Sequence, residues 1–357
     1  MQRAITLANK GEGWVNPNPM VGAVIVKKGR IIGEGYHQKC GKPHAERNAL
    51  ASCIESPKGA ALYVTLEPCC HYGRTPPCTD AIIKAGIEKV IIGSRDPNPK
   101  VAGKGAVLLK AAGIVVEEGF LKAECDELNQ VYFHFITTGI PYLAMKYAMT
   151  LDGKTAAATG ASKWITGKAA RLDVHRLRHK YSSIMVGIGT VLKDNPLLTC
   201  RLENGRNPTR IICDSHLRIP LDSQICRTAK EVPTIVAAAV TDKTKKSKLK
   251  ELGVQVLTFP GKDGRVDLGE LMRKLGKLEI DSILLEGGGS LNDSALRAGF
   301  VQEVYAYVAP KIFGGAEART PVEGQGILSP DQGFLLSDPE IRIFDGDVRL
   351  RYKVGKK

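Results

Sequence analysis

Short apolar runs closed by turn signals recur along the chain, and amphipathic stretches lie between them. Ala4, Ile5, Leu7 and Ala8 predict a short opening helix. Residues 21–27 and 30–36 read as two strands joined at Lys28-Gly29, a hairpin signal. An Ala-rich run follows Pro43-His44, so His44 is expected in the first turn of a helix. Strands are then expected at 61–66, 89–94 and 114–117, and helices at 79–85, 103–112 and 121–138. This alternation predicts a mostly parallel sheet with helices on both faces. Gly139-Ile140-Pro141 is the linker candidate, which divides the chain into domains 1–141 and 142–357. The second half repeats the α/β character. Strands are expected at 142–148 and near 183–188, 210–214, 234–239, 254–257, 282–286, 304–309 and 348–353, with helices at 168–179, 268–277 and 291–298.

The densest chemistry lies in residues 44–78. His44-Ala45-Glu46 precedes the strand at 61–66, and Pro68-Cys69-Cys70-His71 and Cys78 follow it. One imidazole and two thiolates (His44, Cys69, Cys78) make three protein ligands for zinc and leave a fourth position open, the pattern of a catalytic site. Cys69 would arrive at a strand's carboxyl end and Cys78 at a helix start, where thiolates are favoured. Glu46 is the expected non-ligand acid/base, passing a proton from water to a departing amine. A lone His-x-Glu is common and means nothing by itself. A purely structural zinc site would want a fourth ligand, for which Cys70 or His71 could serve.

Charge and cysteine usage narrow the classes. The net charge of +14 suits nucleic acid, phosphorylated metabolites or an NADP-type cofactor. Aromatic content is only 6% and no basic-aromatic stripe occurs, which favours small anions. The Lys-rich run at 243–250 reads as a solvated loop and helix face. Six of the nine cysteines are scattered, so they form no disulfide framework and fit a reducing cytoplasm. The first residues are too polar for a signal peptide, and no apolar run reaches the ~18 residues of a membrane span. Within the cysteine insert, Arg74 is a candidate for a phosphate, whose geometry guanidinium matches. Leu285-Glu286-Gly287-Gly288-Gly289 reads as a buried strand entering a helix through glycines. Such a turn lets backbone N–H groups approach a phosphate, though many ordinary strand-to-helix turns also use glycine.

In these motifs the chain resembles the cytidine-deaminase-like zinc deaminases. Most of those separate the two cysteines by two residues. The longer insert between Cys69 and Cys78 instead resembles the bifunctional riboflavin-biosynthesis deaminase/reductase family. Pro17-Asn18-Pro19-Met20-Val21-Gly22, Asp96-Pro97-Asn98-Pro99, Leu151-Asp152-Gly153-Lys154, Trp164-Ile165-Thr166 and Glu286-Gly287-Gly288-Gly289 extend the likeness over nearly the whole chain. The resemblance implies an α/β protein with an N-terminal cytidine-deaminase-like three-layer domain and a C-terminal dihydrofolate-reductase-like domain. It implies one zinc per chain and NADPH.

The resemblance also implies the remaining site residues. Asn18, His37, His71 and Arg74 would meet the deaminase substrate. Met149 (through its backbone, since some relatives have Ala there), Trp164, Thr190, Asp194 and the run Gly288, Gly289, Ser290, Leu291, Asn292, Asp293, Ser294 would hold the cofactor. Lys146, Ser162, Arg178, Leu198, Arg201 and Glu286 would hold the reductase substrate, with Arg178 and Arg201 on its phosphate. The expected partner is a phosphorylated pyrimidine, with no nucleic acid and no membrane, in a cytoplasmic homo-oligomer. Two rivals differ in class. A tRNA or DNA base deaminase would show salt-dependent RNA binding and no NADPH oxidation. A non-catalytic zinc-stabilised binding protein would be indifferent to Glu46→Gln.

Overall fold

The computed structural model describes residues 1–72, 76–99 and 101–355. The chain divides into two compact units, Met1–Gly139 and Ile140–Lys357.

In the first unit the elements run α1 (Gln2–Ala8), β1 (Gly22–Lys27), β2 (Arg30–Tyr36), α2 (Ala45–Ala51), β3 (Ala61–Leu66), α3 (Cys78–Lys84), β4 (Lys89–Ser94), α4 (Lys104–Ala111), β5 (Val115–Glu118), α5 (Lys122–Leu128) and α6 (Gln130–Thr138). The sheet order is β2-β1-β3-β4-β5. The expectation of a mostly parallel sheet is corrected here. Pairs β2–β1 and β1–β3 are antiparallel, and only β3–β4 and β4–β5 are parallel. The tight Lys28-Gly29 turn, with φ of 48° and 77°, reverses the chain at the sheet edge.

Strand side chains alternate between faces, and this builds three layers. Ala23, Ile25, Leu62 and Val64 pack with Ala45, Ala49, Ile82 and Leu109 of α2, α3 and α4. Val24 and the half-buried Tyr63 pack with Ala4 and Leu7 of α1 on the other face.

Two glycines set the approach of the helices. A Cβ on Gly22 would lie 1.9 Å from the Ala4 carbonyl oxygen, and one on Gly35 would lie 2.3 Å from the Ala49 nitrogen. Gly35 therefore seats α2, whose first turn carries Glu46. Gly35→Ala is expected to destabilise the unit by about 1–3 kcal/mol, because a backbone rather than a flexible side chain must give way. It is also expected to weaken zinc retention, checked by thermal melts and metal analysis of the purified variant.

The expected helix at 121–138 is two helices. It breaks at Asn129 (φ −117°, ψ 22°), whose buried amide accepts from Met20 N at 2.8 Å and donates to Met20 O at 2.9 Å. That two-point clamp fixes the loop bearing Asn18.

The second unit runs β6 (Tyr142–Thr150), α7 (Lys168–Lys180), β7 (Ser183–Gly187), α8 (Ile188–Asp194), β8 (Thr209–Cys213), α9 (Gln224–Arg227), β9 (Thr234–Ala238), α10 (Lys243–Glu251), β10 (Val254–Thr258), α11 (Leu268–Lys277), β11 (Ser282–Leu285), α12 (Gly289–Arg297), β12 (Val301–Ala309), β13 (Glu340–Phe344) and β14 (Asp347–Lys353). The sheet order is β10-β9-β8-β7-β11-β6-β12-β14-β13. It is parallel from β10 to β12, and β14 and β13 extend it antiparallel. Adjacent residues of β7 serve opposite cores. Met185 packs with Leu143, Ile283 and Leu271, whereas Ile184 and Val186 pack with Ile212, Val236 and Leu249. Helices α8 and α9 and strand β13 were not expected as separate elements, whereas α10 falls on the Lys-rich run expected as a solvated loop and helix face. Helix α8 begins at the residue that follows β7, with Gly187 as its N-cap.

Candidate active sites

In the first unit three elements converge. His44 is the N-cap of α2 (φ −74°, ψ 167°), one residue before the helical turn in which it was expected. Strand β3 delivers Glu67-Pro68-Cys69, and α3 begins at Cys78. Glu67 is buried; its carboxylate accepts from Gly103 N (2.9 Å), Ala106 N (3.2 Å) and Asp96 N (3.3 Å). It thereby ties the cysteine-bearing loop to the N-terminus of α4. Cys69 O accepts from Cys78 N (3.1 Å) and Thr79 N (3.2 Å), which fixes the second cysteine against the first.

His44 Nδ1 lies 3.5 Å from both Cys69 Sγ and Cys78 Sγ. A tetrahedral zinc with ordinary Zn–N and Zn–S bonds separates such a pair by about 3.6 Å, so the donor set fits the ion. The three ligand atoms lie within 4.8 Å of one another, the one such group found among the described residues. Neither Cys70 nor His71 joins it, so a fourth protein ligand is not supplied there. Cys78 donates to the Cys69 sulfur, which holds the Cys69 thiol well below its ordinary range, with His44 adding to the effect; the Cys78 thiol is pushed up in turn.

Glu46 is buried, and burial, reinforced by the charge on Cys69, raises its carboxyl to about 7. A carboxyl poised near neutrality can both accept and return a proton. Around it, His37 Nδ1 is 3.1 Å from the Pro43 carbonyl oxygen and must donate to it. His37 Nε2 is therefore the acceptor for the Asn18 amide at 3.2 Å. Burial lowers the His37 pKa, which keeps this neutral tautomer, and its ring packs edge-on to His44 at 5.3 Å. The structure thus brings Asn18 and His37 to the metal group. His71 is half-buried, with Nδ1 unpartnered among the described residues. Arg74 lies outside the described residues.

Three residues of this unit were given no role from the sequence. Glu67 and Asn129 organise the loops. Asp96, raised to about 6 by burial, takes the Tyr132 hydroxyl at 3.1 Å. A carboxylate directly after a strand end was the available signal for Glu67, and the quoted Asp96-Pro97-Asn98-Pro99 motif was the one for Asp96; Asn129 gave none.

In the second unit two clefts open at the carboxyl ends of the parallel strands, where open α/β sheets bind ligands. The larger, about 760 Å³, takes in Gly288, Gly289, Ser290, Leu291, Asn292 and Ser294 at the start of α12. The smaller, about 420 Å³, takes in Trp164, Arg178, Leu198 and Arg201. Both are lined by Lys146, Ala148, Ser162, Thr190, Asp194 and Glu286, so these residues form their junction.

Glu286 is the centre of that junction. Arg178 grips it with Nε–Oε1 at 2.7 Å and Nη2–Oε2 at 3.1 Å, and Lys146 Nζ lies 3.5 Å away. Burial alone would raise the carboxyl, but the two cations outweigh it and hold it at about 2.

Several placements differ from expectation. Met149 lines neither cleft; Ala148, its neighbour on β6, lines both. Asp293 also lines neither, because its carboxylate accepts from Arg297 Nε at 2.9 and 3.0 Å. Trp164, expected beside the cofactor run, lines only the smaller cleft, where Arg171 stacks 4.4 Å from its ring centroid. The Arg178 guanidinium, expected on a phosphate, is engaged by Glu286 and the Thr199 carbonyl oxygen. The larger cleft is also lined by Arg218, Arg265 and Arg319, cations that sequence reasoning missed. The net charge was the only signal for them.

Known proteins divide in the same way. Residues 1–94 match the cytidine and deoxycytidylate deaminase zinc-binding region, and residues 141–350 match the RibD C-terminal domain. The chain is 55% identical over 354 residues to the riboflavin biosynthesis protein RibD of Actinobacillus pleuropneumoniae, covering 99% of this chain and 94% of that one. A solved RibD structure from Acinetobacter baumannii is 40% identical with a TM-score of 0.90, covering 99% of this chain and 98% of that one. A solved diaminohydroxyphosphoribosylaminopyrimidine deaminase/5-amino-6-(5-phosphoribosylamino)uracil reductase from Thermotoga maritima is 40% identical with a TM-score of 0.88, covering 99% and 97%.

Fold and sites together define a cytidine-deaminase-like zinc hydrolase and a reductase on one chain. Zinc serves the first activity and NADPH the second. The chain belongs to the RibD family of bifunctional riboflavin-biosynthesis deaminase/reductases.

Proposed function

We propose that residues 1–141 hydrolyse the 2-amino group of 2,5-diamino-6-(5-phosphoribosylamino)pyrimidin-4(3H)-one, and that residues 142–357 then reduce the ribosyl chain of the product to ribityl with NADPH. The observation that carries the first step is His44 Nδ1 at 3.5 Å from two thiol sulfurs with the buried Glu46 two residues on. His44, Cys69 and Cys78 hold the zinc. When bound, the ion makes water a competent nucleophile near neutral pH. Glu46 takes the water's proton and returns it to the departing amine, so that water is consumed and ammonia released. Asn18, oriented by His37, meets the pyrimidine, with His71 and Arg74 on the same substrate.

In the reductase unit, NADPH would supply a hydride to the sugar C1 of an open-chain imine, and a proton from water would go to the imine nitrogen. The larger cleft suits a dinucleotide, with Gly288–Asn292 and Ser294 at its phosphates and Arg218, Arg265 and Arg319 available to further anionic groups. Lys146 and Glu286, at the junction of the clefts, align the sugar with the nicotinamide and exclude water.

The partner is a small phosphorylated pyrimidine rather than a nucleic acid. The scattered cysteine usage suits a reducing cytoplasm. Among the described residues no helix is long and apolar enough to cross a membrane. Self-association is part of the same reading. The test is an ordered assay of purified, metal-analysed protein. Ammonia release is expected without NADPH, and NADPH oxidation only once the deaminated product is present. NADPH oxidation before any ammonia release would refute the order, and RNA-dependent base deamination would refute the substrate class.

A further inference from the structure

Tyr307 is fully buried and lines neither cleft of the second unit, so a ligand in either one does not touch it. Its place is nonetheless tied to their junction. Strands β6 and β12 run parallel, with Lys146 opposite Tyr305 and Ala148 opposite Tyr307. Side chains two residues apart share a face, so Lys146, Tyr305 and Tyr307 lie on the same side of the sheet. Lys146 Nζ stands over the Tyr307 ring, 5.9 Å from its centroid.

That contact matters because Glu286 holds Lys146 loosely. The carboxylate takes its short contacts, at 2.7 and 3.1 Å, from Arg178, whereas Lys146 Nζ is 3.5 Å away on a flexible four-carbon stem. An ammonium over a ring face is attracted by the ring's quadrupole, most strongly where water is excluded. The Lys146 side chain is only 13% exposed.

The ring is itself held from its far end. The Tyr307 hydroxyl donates to Asp173 Oδ2 at 2.6 Å, and burial keeps this phenol protonated. Arg349 Nη1 donates to the same oxygen at 2.8 Å, and Arg349 Nη2 donates to Glu340 of β13 at 3.2 Å. The Asp173 and Arg349 side chains are both buried. Asp173 lies on α7, and the N-cap of that helix is pinned to β14 as well, by Gly167 N donating to Asp347 Oδ2 at 2.6 Å. A buried ion pair contributes little stability beyond apolar packing of the same volume. This one fixes the direction of a phenol.

We propose that Tyr307 is a positioning residue for Lys146: its ring seats the ammonium beside Glu286, and Asp173 and Arg349 hold the ring in place. This rests on reading Lys146 as a group that aligns the sugar with the nicotinamide. It brings into the reductase a residue of β12 and an ion pair between α7 and β14 that no sequence motif singled out.

The test follows NADPH oxidation by the full-length enzyme with 5-amino-6-(5-phosphoribosylamino)uracil. Tyr307→Leu removes the ring, and Tyr307→Phe keeps the ring but frees it from Asp173. kcat is expected to fall about 10-fold in Tyr307→Leu, within what a desolvated ammonium–ring contact is worth, and about 3-fold in Tyr307→Phe. KM for both reactants should stay near the native values, because Tyr307 touches neither. Both substitutions are then repeated in Lys146→Ala. There a residue that acts through Lys146 has nothing left to position, so neither should lower kcat further; a merely structural role would multiply the losses. Tyr307→Phe deletes a single oxygen and decides the matter alone should Tyr307→Leu fail to fold.

Native kcat in every folded single variant would overturn the proposal, as would multiplied losses in the Lys146→Ala background. Native NADPH oxidation in Lys146→Ala itself would instead overturn the role given to Lys146.

Discussion

Glu46→Gln is expected to leave one zinc bound per chain and to lower ammonia release by about 10²–10⁴-fold, the usual worth of a positioned acid/base. The amide matches the carboxyl in shape and adds no buried charge, so the ligand group of His44, Cys69 and Cys78 should persist. What is lost is a group that exchanges a proton near neutral pH. In the native chain, burial and the neighbouring Cys69 raise that carboxyl to about 7. Metal analysis and ammonia assays check this outcome on one preparation. Unchanged ammonia release would remove Glu46 from the chemistry. Loss of zinc alongside activity would make it part of the metal's support instead. Reduction of separately supplied deaminated substrate should continue, because Glu46 belongs to the first compact unit.

Lys146→Ala should do the converse. Nζ of Lys146 stands at the junction of the two clefts, 3.5 Å from Glu286. Truncation removes the ammonium but leaves Arg178 paired with the buried carboxylate, so the fold should hold. NADPH oxidation is expected to fall by about 10²–10³-fold, comparable to deleting one preorganised electrostatic group at a reacting centre. Ammonia release should be retained. The two activities are followed separately, at the absorbance of NADPH and by ammonia detection. A joint fall would contradict the independence of the two units.

Where local pattern dominates, sequence and structure agree closely. Ala61–Leu66, Lys89–Ser94 and Leu268–Lys277 have the bounds expected from periodicity. Side-chain alternation and amphipathic spacing are properties of neighbouring residues, so they can be read without the fold. The divergences involve polar side chains whose partners are far away. Asn129 breaks a helix to bind a backbone 109 positions distant, and Arg178 pairs with a carboxylate 108 positions distant. Neither distance leaves any mark on local spacing.

The sequence by itself determined the chemical inventory of this chain: one imidazole, two thiols and a carboxyl on three expected elements, then a glycine-rich strand end in a second α/β half. Those features follow from residue type and short-range periodicity. Tertiary structure alone decided that His44 Nδ1 faces both sulfurs and that Glu46 is buried. It also decided that Arg178 is held by Glu286 while Arg171 is left to an exposed indole. A buried charge takes whichever opposite charge the fold brings nearest, and only the packing of the sheet sets that distance.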